Sequence, residues 1–240
     1  MSCDAKRMAA LGALELIQGL ELRDGELVGI GTGSTVRAFL DVASEILRGK
    51  RLLSSSNSTA LELSSRGFDV IYYPSSATPM KLYVDGADEV VPSTGDMIKG
   101  GGGALLGEKV LAFASALNIF IVSEDKVVER LGSRSPVPIE VLPEALPFVM
   151  ESLKAMGLKA APRVSAGKMG PVISDWRGVL VDVFTGPIDD PRRLNDSLRS
   201  IPGVIETGLF VGLADYVVVG RRSCTYDVYR LRRVVKAPYL

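Results

Sequence analysis

Residues 82–111 read Leu82-Tyr83-Val84-Asp85-Gly86-Ala87-Asp88-Glu89-Val90-Val91-Pro92-Ser93-Thr94-Gly95-Asp96-Met97-Ile98-Lys99-Gly100-Gly101-Gly102-Gly103-Ala104-Leu105-Leu106-Gly107-Glu108-Lys109-Val110-Leu111. A short apolar approach ends in two carboxylates, Asp85 and Asp88, as a buried strand does when it delivers polar side chains at its carboxyl end. Eleven residues on comes Lys99, then four glycines, then an apolar spacing that suits a helix with Glu108 in its first turns. Taken singly, each feature reads as structure: Asp-Gly is a turn, Asp88 a cap, and a glycine run a bend in the chain. Their concentration within one stretch argues otherwise. Four consecutive glycines would cost a helix or strand about 1 kcal/mol each, so the run implies a backbone that comes close to a partner, and a ligand is the natural one. Two acids, an ammonium, a backbone loop and a third acid can thus converge on one pocket.

The rest of the composition narrows the chemistry. A chain of 240 residues buries a full core as one large domain or as a large one with a smaller companion. Lys plus Arg balances Asp plus Glu at 28 each, so no global field favours nucleic acid or an anionic membrane surface. Histidine is absent. That removes Ser-His and Cys-His nucleophile pairs, imidazole acids and bases, and His-containing metal sites, and leaves proton transfer to Glu, Asp, Lys, Tyr or Cys. Cys3 and Cys224 lie near opposite ends without C-x-x-C spacing. With no signal peptide or long apolar span evident, they read as reduced thiols of a cytosolic protein.

In chain order, Asp4 to Leu20 approximates an amphipathic helix, and Lys6 and Arg7 in its first turn read as a solvated helix end. Leu27 to Ile30 reads as a buried strand, followed by Gly31-Thr32-Gly33-Ser34-Thr35 and a helix from Val36 to Leu47. Such a loop offers N–H groups and hydroxyls at the positive end of a helix dipole, which suits a phosphate. It fits neither G-x-G-x-x-G nor a G-K-[ST] loop, so a small phosphate ester is a better match than a nucleotide. Strands are expected at 51–53, 68–73, 118–122 and 215–220, alternating with helices at 60–66 and up to Leu117. This implies an α/β fold, a doubly wound and mostly parallel sheet, with ligands at its carboxyl edge. Beyond Pro136 and Pro138 the order becomes β-α-β-β-α-β: strand 139–142, helix 144–156, strands 158–163 and 178–184, helix 191–200, strand 204–209. A smaller ferredoxin-like α+β unit at 133–210, inserted into a catalytic domain of 1–132 and 211–240, is the expected organisation. The segment from Cys224 to Lys236, with Arg230, Arg232 and Arg233, reads as a solvated helix face.

These motifs, in this order, resemble those of ribose-5-phosphate isomerase of type A. The stretches are Gly29-Ile30-Gly31-Thr32-Gly33-Ser34-Thr35, Val84-Asp85-Gly86-Ala87-Asp88-Glu89, Ile98-Lys99 through Leu105 with Glu108-Lys109, Pro136 to Val141, Ile201-Pro202-Gly203-Val204 and Gly208-Leu209-Phe210. The resemblance implies interconversion of D-ribose 5-phosphate and D-ribulose 5-phosphate without metal or other cofactor, in the non-oxidative pentose phosphate pathway, by a cytoplasmic homodimer or homotetramer. It implies a phosphate loop of Thr32, Gly33, Ser34 and Thr35, a catalytic group of Asp85, Asp88, Lys99 and Glu108, a sugar-lining Lys126 and an N-terminal Lys6 near the phosphate. Gly86, Ala87, Gly100, Gly101 and Gly102 would line the substrate. Two places depart from the family pattern: Thr207 stands where a histidine is frequent, and Ser174-Asp175-Trp176-Arg177-Gly178 where T-D-N-G-N is common.

On chemistry, moving a carbonyl between C1 and C2 needs a base that takes the C2 proton and returns it to C1 through an enediolate. Glu108 is the candidate, since a carboxylate behind a glycine loop can be partly desolvated. Asp85 is expected to handle the ring-opening proton, while Asp88 and Lys99 polarise the oxygens. Two other classes stay open: a sugar-phosphate sensor without turnover, and a related-fold deaminase or coenzyme A transferase.

Overall fold

The computed structural model describes residues 2–71 and 80–235. In chain order its elements are α1 (Ala5–Gln18), β1 (Leu27–Ile30), α2 (Ser34–Leu47), β2 (Arg51–Ser54), α3 (Asn57–Ser65), β3 (Asp69–Ile71), β4 (Leu82–Asp85), β5 (Glu89–Val91), β6 (Asp96–Ile98), α4 (Leu105–Ala114) and β7 (Asn118–Ser123). They continue as β8 (Val137–Val141), α5 (Leu146–Ala155), β9 (Lys159–Pro162), β10 (Val164–Ser165), β11 (Lys168–Pro171), β12 (Val179–Phe184), α6 (Pro191–Arg199), β13 (Val204–Thr207), β14 (Leu209–Phe210), β15 (Tyr216–Gly220) and β16 (Tyr226–Arg230). The strand expected at 68–73 is seen over Asp69–Ile71; residues 72 and 73 lie outside the described residues.

A seven-stranded sheet in the order β16-β15-β7-β4-β1-β2-β3 forms the centre, and every pairing in it is parallel except β15 with β16. Its inner strands β1, β4 and β7 are buried along their whole length, which is why they read as plain apolar runs. From β1 the chain first winds outward to β2 and β3, then returns to β4 on the other side. The switch point therefore falls between β1 and β4, and the loops after these two strands open at one place on the carboxyl edge. One face is covered by α1, α2 and α3, where Ala13, Phe39, Leu40 and Leu63 join Val28, Leu52 and Ile119. On the other face Leu111 and Ala112 of α4 pack with Tyr83, Phe120 and Val219.

Residues 137–207 form a second, antiparallel sheet in the order β13-β8-β12-β9 with α5 and α6, the β-α-β-β-α-β arrangement read from the sequence. A third core of Val137, Ile139, Val149, Leu153, Val181 and Leu198 lies within it. The strand expected over 204–209 splits in two. β13 belongs to this sheet, whereas β14 pairs with β6 of the β5–β6 hairpin to make a three-stranded sheet. Gly208 sits at the crossing, donating to Pro138 O and accepting from Lys99 N.

Two expectations are corrected. Residues 224–235 form no helix: Tyr226 to Arg230 extends antiparallel along β15, with Tyr226 packed on the α1 side and Tyr229 and Leu231 on the opposite face. That is a period of two, which the flanking arginines had masked. Of these, Arg233 is buried, donating to the carbonyls of Ala112, Phe113 and Ser115 at the end of α4; Lys236 lies outside the described residues. The cysteines are not free thiols either. Cys3 and Cys224 form a disulfide, because the start of α1 lies beside the β15–β16 turn with the two Cα atoms 5.1 Å apart.

The two departures from the family pattern are built into this framework. Ser174 donates to Glu140 Oε1 on β8, and Asp175 Oδ2 accepts from Asn57 N at the start of α3. Thr207 accepts from Lys109 through its carbonyl and donates its hydroxyl to Asn195 Oδ1.

Candidate active site

The eleven-residue gap between Asp88 and Lys99 is the β5–β6 hairpin. It carries the chain out and back, so that Asp88 N donates to Ile98 O at 2.9 Å and Lys99 returns next to the acids it left. Lys99 Nζ lies 2.7 Å from Asp85 Oδ2, 3.3 Å from Glu108 Oε2, and donates to Gly86 O at 2.7 Å. All three side chains are buried. The rings of Phe120 and Phe210 flank the ammonium, with centroids 5.9 and 5.3 Å away, so this charge cluster sits in an apolar wall.

Asp85 is saturated. Its Oδ1 accepts from Thr32 N at 3.1 Å and Gly86 N at 2.7 Å, and its Oδ2 accepts from the Tyr83 hydroxyl besides pairing with Lys99. Fully enclosed, it holds Lys99 from beneath. Four donors thus occupy a carboxylate that has no exposed surface and does not line the cavity, where the sequence reading had expected it to handle the ring-opening proton. Glu108 is different. It lies in the first turn of α4, and apart from Lys99 Nζ at 3.3 Å its Oε2 meets no donor among the described residues. Burial, and after it the charge of Asp85, pushes its carboxyl up to about 8 against the pull of Lys99. For Lys99 burial works against the ammonium, but Asp85 and Glu108 more than offset it and the group stays charged. Its neighbour Lys109 turns the other way, to Glu206 Oε1 at 2.9 Å, so it does not pair with Glu108.

These groups meet in a cavity of about 240 Å³ at the switch point. Glu108, Lys99, Asp88, Gly86, Ala87 and Gly100 to Gly102 line one end; Thr32, Gly33, Ser34, Thr35 and Lys6 line the other, with Asp125 and Lys126 alongside. Asp85 alone of the expected site residues is beneath it. At the far end α2 begins on Gly33, whose φ of +117° only glycine adopts without strain, and no side chain caps the helix. Its first N–H groups and dipole thus face the cavity. Lys6 Nζ donates to Ser34 Oγ at 2.9 Å, adding a cation to that end. Thr32 is fixed from behind by the hydroxyls of Ser55, Ser56 and Thr59. Within the glycine run, the close neighbour of Gly101 is this chain's own acid: Gly101 N donates to Asp88 Oδ2 at 2.7 Å, and a Cβ at 101 would lie 2.6 Å from Asp88 Oδ1.

Sequence reasoning missed several contributors. Tyr83, two residues before Asp85 on the same strand face, was readable from strand period alone. Asp125 carries no motif of its own, only its place at the end of β7. The Ser55–Thr59 hydroxyl network shows in sequence merely as a polar turn. Among the described residues no group of three or more His, Cys, Asp or Glu side chains is arranged to hold a metal ion.

An anion-binding helix N-terminus facing a desolvated carboxylate beside a buried lysine, on a doubly wound sheet, defines an α/β enzyme that moves protons on a small phosphate ester. Comparison with known proteins narrows this. Residues 51–224 match the family model of ribose 5-phosphate isomerase A (phosphoriboisomerase A). The ribose-5-phosphate isomerase A of Aeropyrum pernix is 52% identical over 97% of this chain and 99% of its own, and that of Methanothermobacter thermautotrophicus 39% identical over 90% and 93%. The solved structure of ribose 5-phosphate isomerase A from Methanocaldococcus jannaschii superposes with a TM-score of 0.84 at 32% identity, covering 95% of this chain and 98% of that one. Another D-ribose-5-phosphate isomerase, in complex with phospho-erythronic acid, gives 0.85 at 33% identity, covering 94% and 97%. The chain belongs to the ribose 5-phosphate isomerase A family.

Proposed function

We propose that this site interconverts D-ribose 5-phosphate and D-ribulose 5-phosphate through an enediolate, with Glu108 as the base that carries the proton between C2 and C1. The observation that carries the assignment is the Glu108 carboxylate: buried, raised in pKa, its Oε2 facing only the Lys99 ammonium at 3.3 Å, in the cavity that an uncapped helix start also lines. A base with a pKa near the working pH is the effective one. The phosphate is bound by Thr32 to Thr35 and Lys6, Lys99 stabilises the oxyanion as it develops, and Lys126 contacts the sugar hydroxyls. Asp88, which lines the cavity, replaces Asp85 as the carboxylate for the ring-opening proton. Asp85 keeps Lys99 charged and in place.

The proposal invokes no cofactor, because Lys99 stands where a Lewis acid would otherwise be needed. Formation of ribulose 5-phosphate from ribose 5-phosphate, before and after dialysis against EDTA, tests both statements together. Full turnover is expected in each case; activity lost on dialysis and restored by Mg²⁺ or Zn²⁺ contradicts the role given to Lys99.

The division of the chain into a catalytic domain of 1–132 and 211–240 with an inserted unit of 133–210 belongs to the same proposal, supported by the separate apolar core of the antiparallel sheet. So do a cytoplasmic location and assembly as a homodimer or homotetramer, for which exposed Leu142 and Phe148 offer contact surface. Among the described residues no helix is long and apolar enough to cross a membrane, and the balanced charge gives no global field that favours nucleic acid.

A further inference from the structure

The β15–β16 turn is tied to two segments that line the cavity. On one side it meets the chain's beginning: Cys224 is bonded to Cys3 across 221 residues of sequence, and Cys3 N donates to Arg222 O at 3.1 Å. Three residues beyond Cys3, Lys6 reaches the phosphate end of the cavity and donates to Ser34 Oγ, while its backbone N–H is capped by Asp4 at 2.9 Å. On the other side, Arg222 N donates to Glu124 Oε1 at 3.1 Å and Arg221 pairs with the same carboxylate at 3.7 Å. Glu124 opens the short turn that ends in Lys126. One small turn, closed by one covalent bond, thus holds the two lysines that flank the cavity from outside the central sheet.

We propose that the Cys3–Cys224 disulfide positions Lys6 at the phosphate end of the site, so that affinity for the phosphorylated substrate depends on the redox state of this bond. The inference rests on the phosphate end assigned under Proposed function. The body of α1 is anchored independently, by buried Ala9, Ala10, Ala13 and Ile17, whereas in its first turn only Ala5 is buried, so breaking the bond loosens the first turn and leaves the helix in place. First turns have few backbone bonds of their own and loosen readily once a tether is cut. A loosened first turn lets Lys6 exchange Ser34 and the phosphate for water, which weakens binding and leaves the proton-transfer groups around Glu108 untouched. Cys224 is exposed and Cys3 half-buried, so a dithiol can reach the bond. A thiolate of the dithiol attacks one sulfur, the Cys3–Cys224 bond breaks and a mixed disulfide forms. The second thiol then closes the dithiol into a cyclic disulfide, and the protein gains two electrons and two protons as two thiols.

The test uses the full-length enzyme as purified in air, the same enzyme after dithiothreitol, and the Cys3→Ser/Cys224→Ser double variant, each with and without Lys6→Ala. Thiol titration should find none before dithiothreitol and two after it. Reduction should raise KM for ribose 5-phosphate about threefold to tenfold, a partial loss of one charge-assisted contact, with kcat within about twofold. The double variant should show the raised KM and ignore dithiothreitol. Lys6→Ala should raise KM in the oxidised enzyme, with no further rise on reduction. An unchanged KM once two thiols have appeared, with Lys6→Ala still raising it, overturns the positioning role alone. An oxidised Lys6→Ala enzyme with unaltered KM overturns instead the phosphate contact on which the inference rests. Free thiols in the enzyme as purified, or a dithiothreitol effect persisting in the double variant, also overturn the proposal.

Discussion

Lys99 and Asp85 form an ion pair of 2.7 Å in which neither side chain has appreciable contact with solvent. Breaking a buried pair from one side costs about 3–5 kcal/mol in general, because a charge is left uncompensated; here Glu108 remains as a second partner, so the lower part of that range is expected. Asp85→Asn should therefore lower the thermal midpoint and also kcat, indirectly through the groups it holds and Lys99 above all, since Asp85 does not line the cavity. Thermal unfolding and steady-state kinetics on the same preparation check this. A variant of wild-type stability and turnover would show that Lys99 needs no support.

The carboxyl of Glu108 is raised from 4.5 to about 8, first by burial and then by Asp85. A base works deprotonated, so kcat/KM should fall as pH drops through that value, with a slope of one proton. The second proton of a phosphate ester leaves near pH ~6, so a limb there belongs to the substrate and a limb above it to Glu108. Removing the like charge in Asp85→Asn should move the upper limb to lower pH. A profile flat from pH 6.5 to 9, a range of about 2.5 units around the raised value, would contradict the assignment.

At the other end of the cavity, Ser34→Ala or Thr35→Ala removes a hydroxyl from the uncapped start of α2. A hydrogen bond to a charged group is worth about 1.5–3 kcal/mol, or roughly 10- to 150-fold in binding. The loss should appear with ribose 5-phosphate and vanish with free ribose as substrate. Equal losses on both sugars would mean that the loop does not hold the phosphate.

Much of this arrangement is legible in the sequence because a parallel sheet announces itself through apolar runs such as Asn118-Ile119-Phe120-Ile121-Val122. Polar residues that end those runs then collect at one edge, which is how Thr32, Asp88 and Lys126 come to line one cavity. What stayed hidden depends on long-range contact. The strands β5 and β6 have three residues each, too few to show a period, and the hairpin they form is what sets the Asp88 to Lys99 spacing. Asp85 looks like any strand-end acid until Thr32 N, Gly86 N and the Tyr83 hydroxyl close around it. Arg233 reads as a solvated charge, yet it is buried against the carbonyls at the end of α4. The disulfide joins residues 221 positions apart, and no spacing rule brings those two together.

The central claim, that Glu108 carries the proton, is tested most directly by exchange of the C2 hydrogen of ribose 5-phosphate with D₂O in Glu108→Gln. The amide keeps the size of the side chain and its place beside Lys99 but cannot accept a proton. Exchange and kcat should fall together by about 10² to 10⁴, with KM little changed and the fold intact. Exchange and turnover within about tenfold of wild type would contradict the account, and would pass the proton to Asp88, a carboxylate that also lines the cavity.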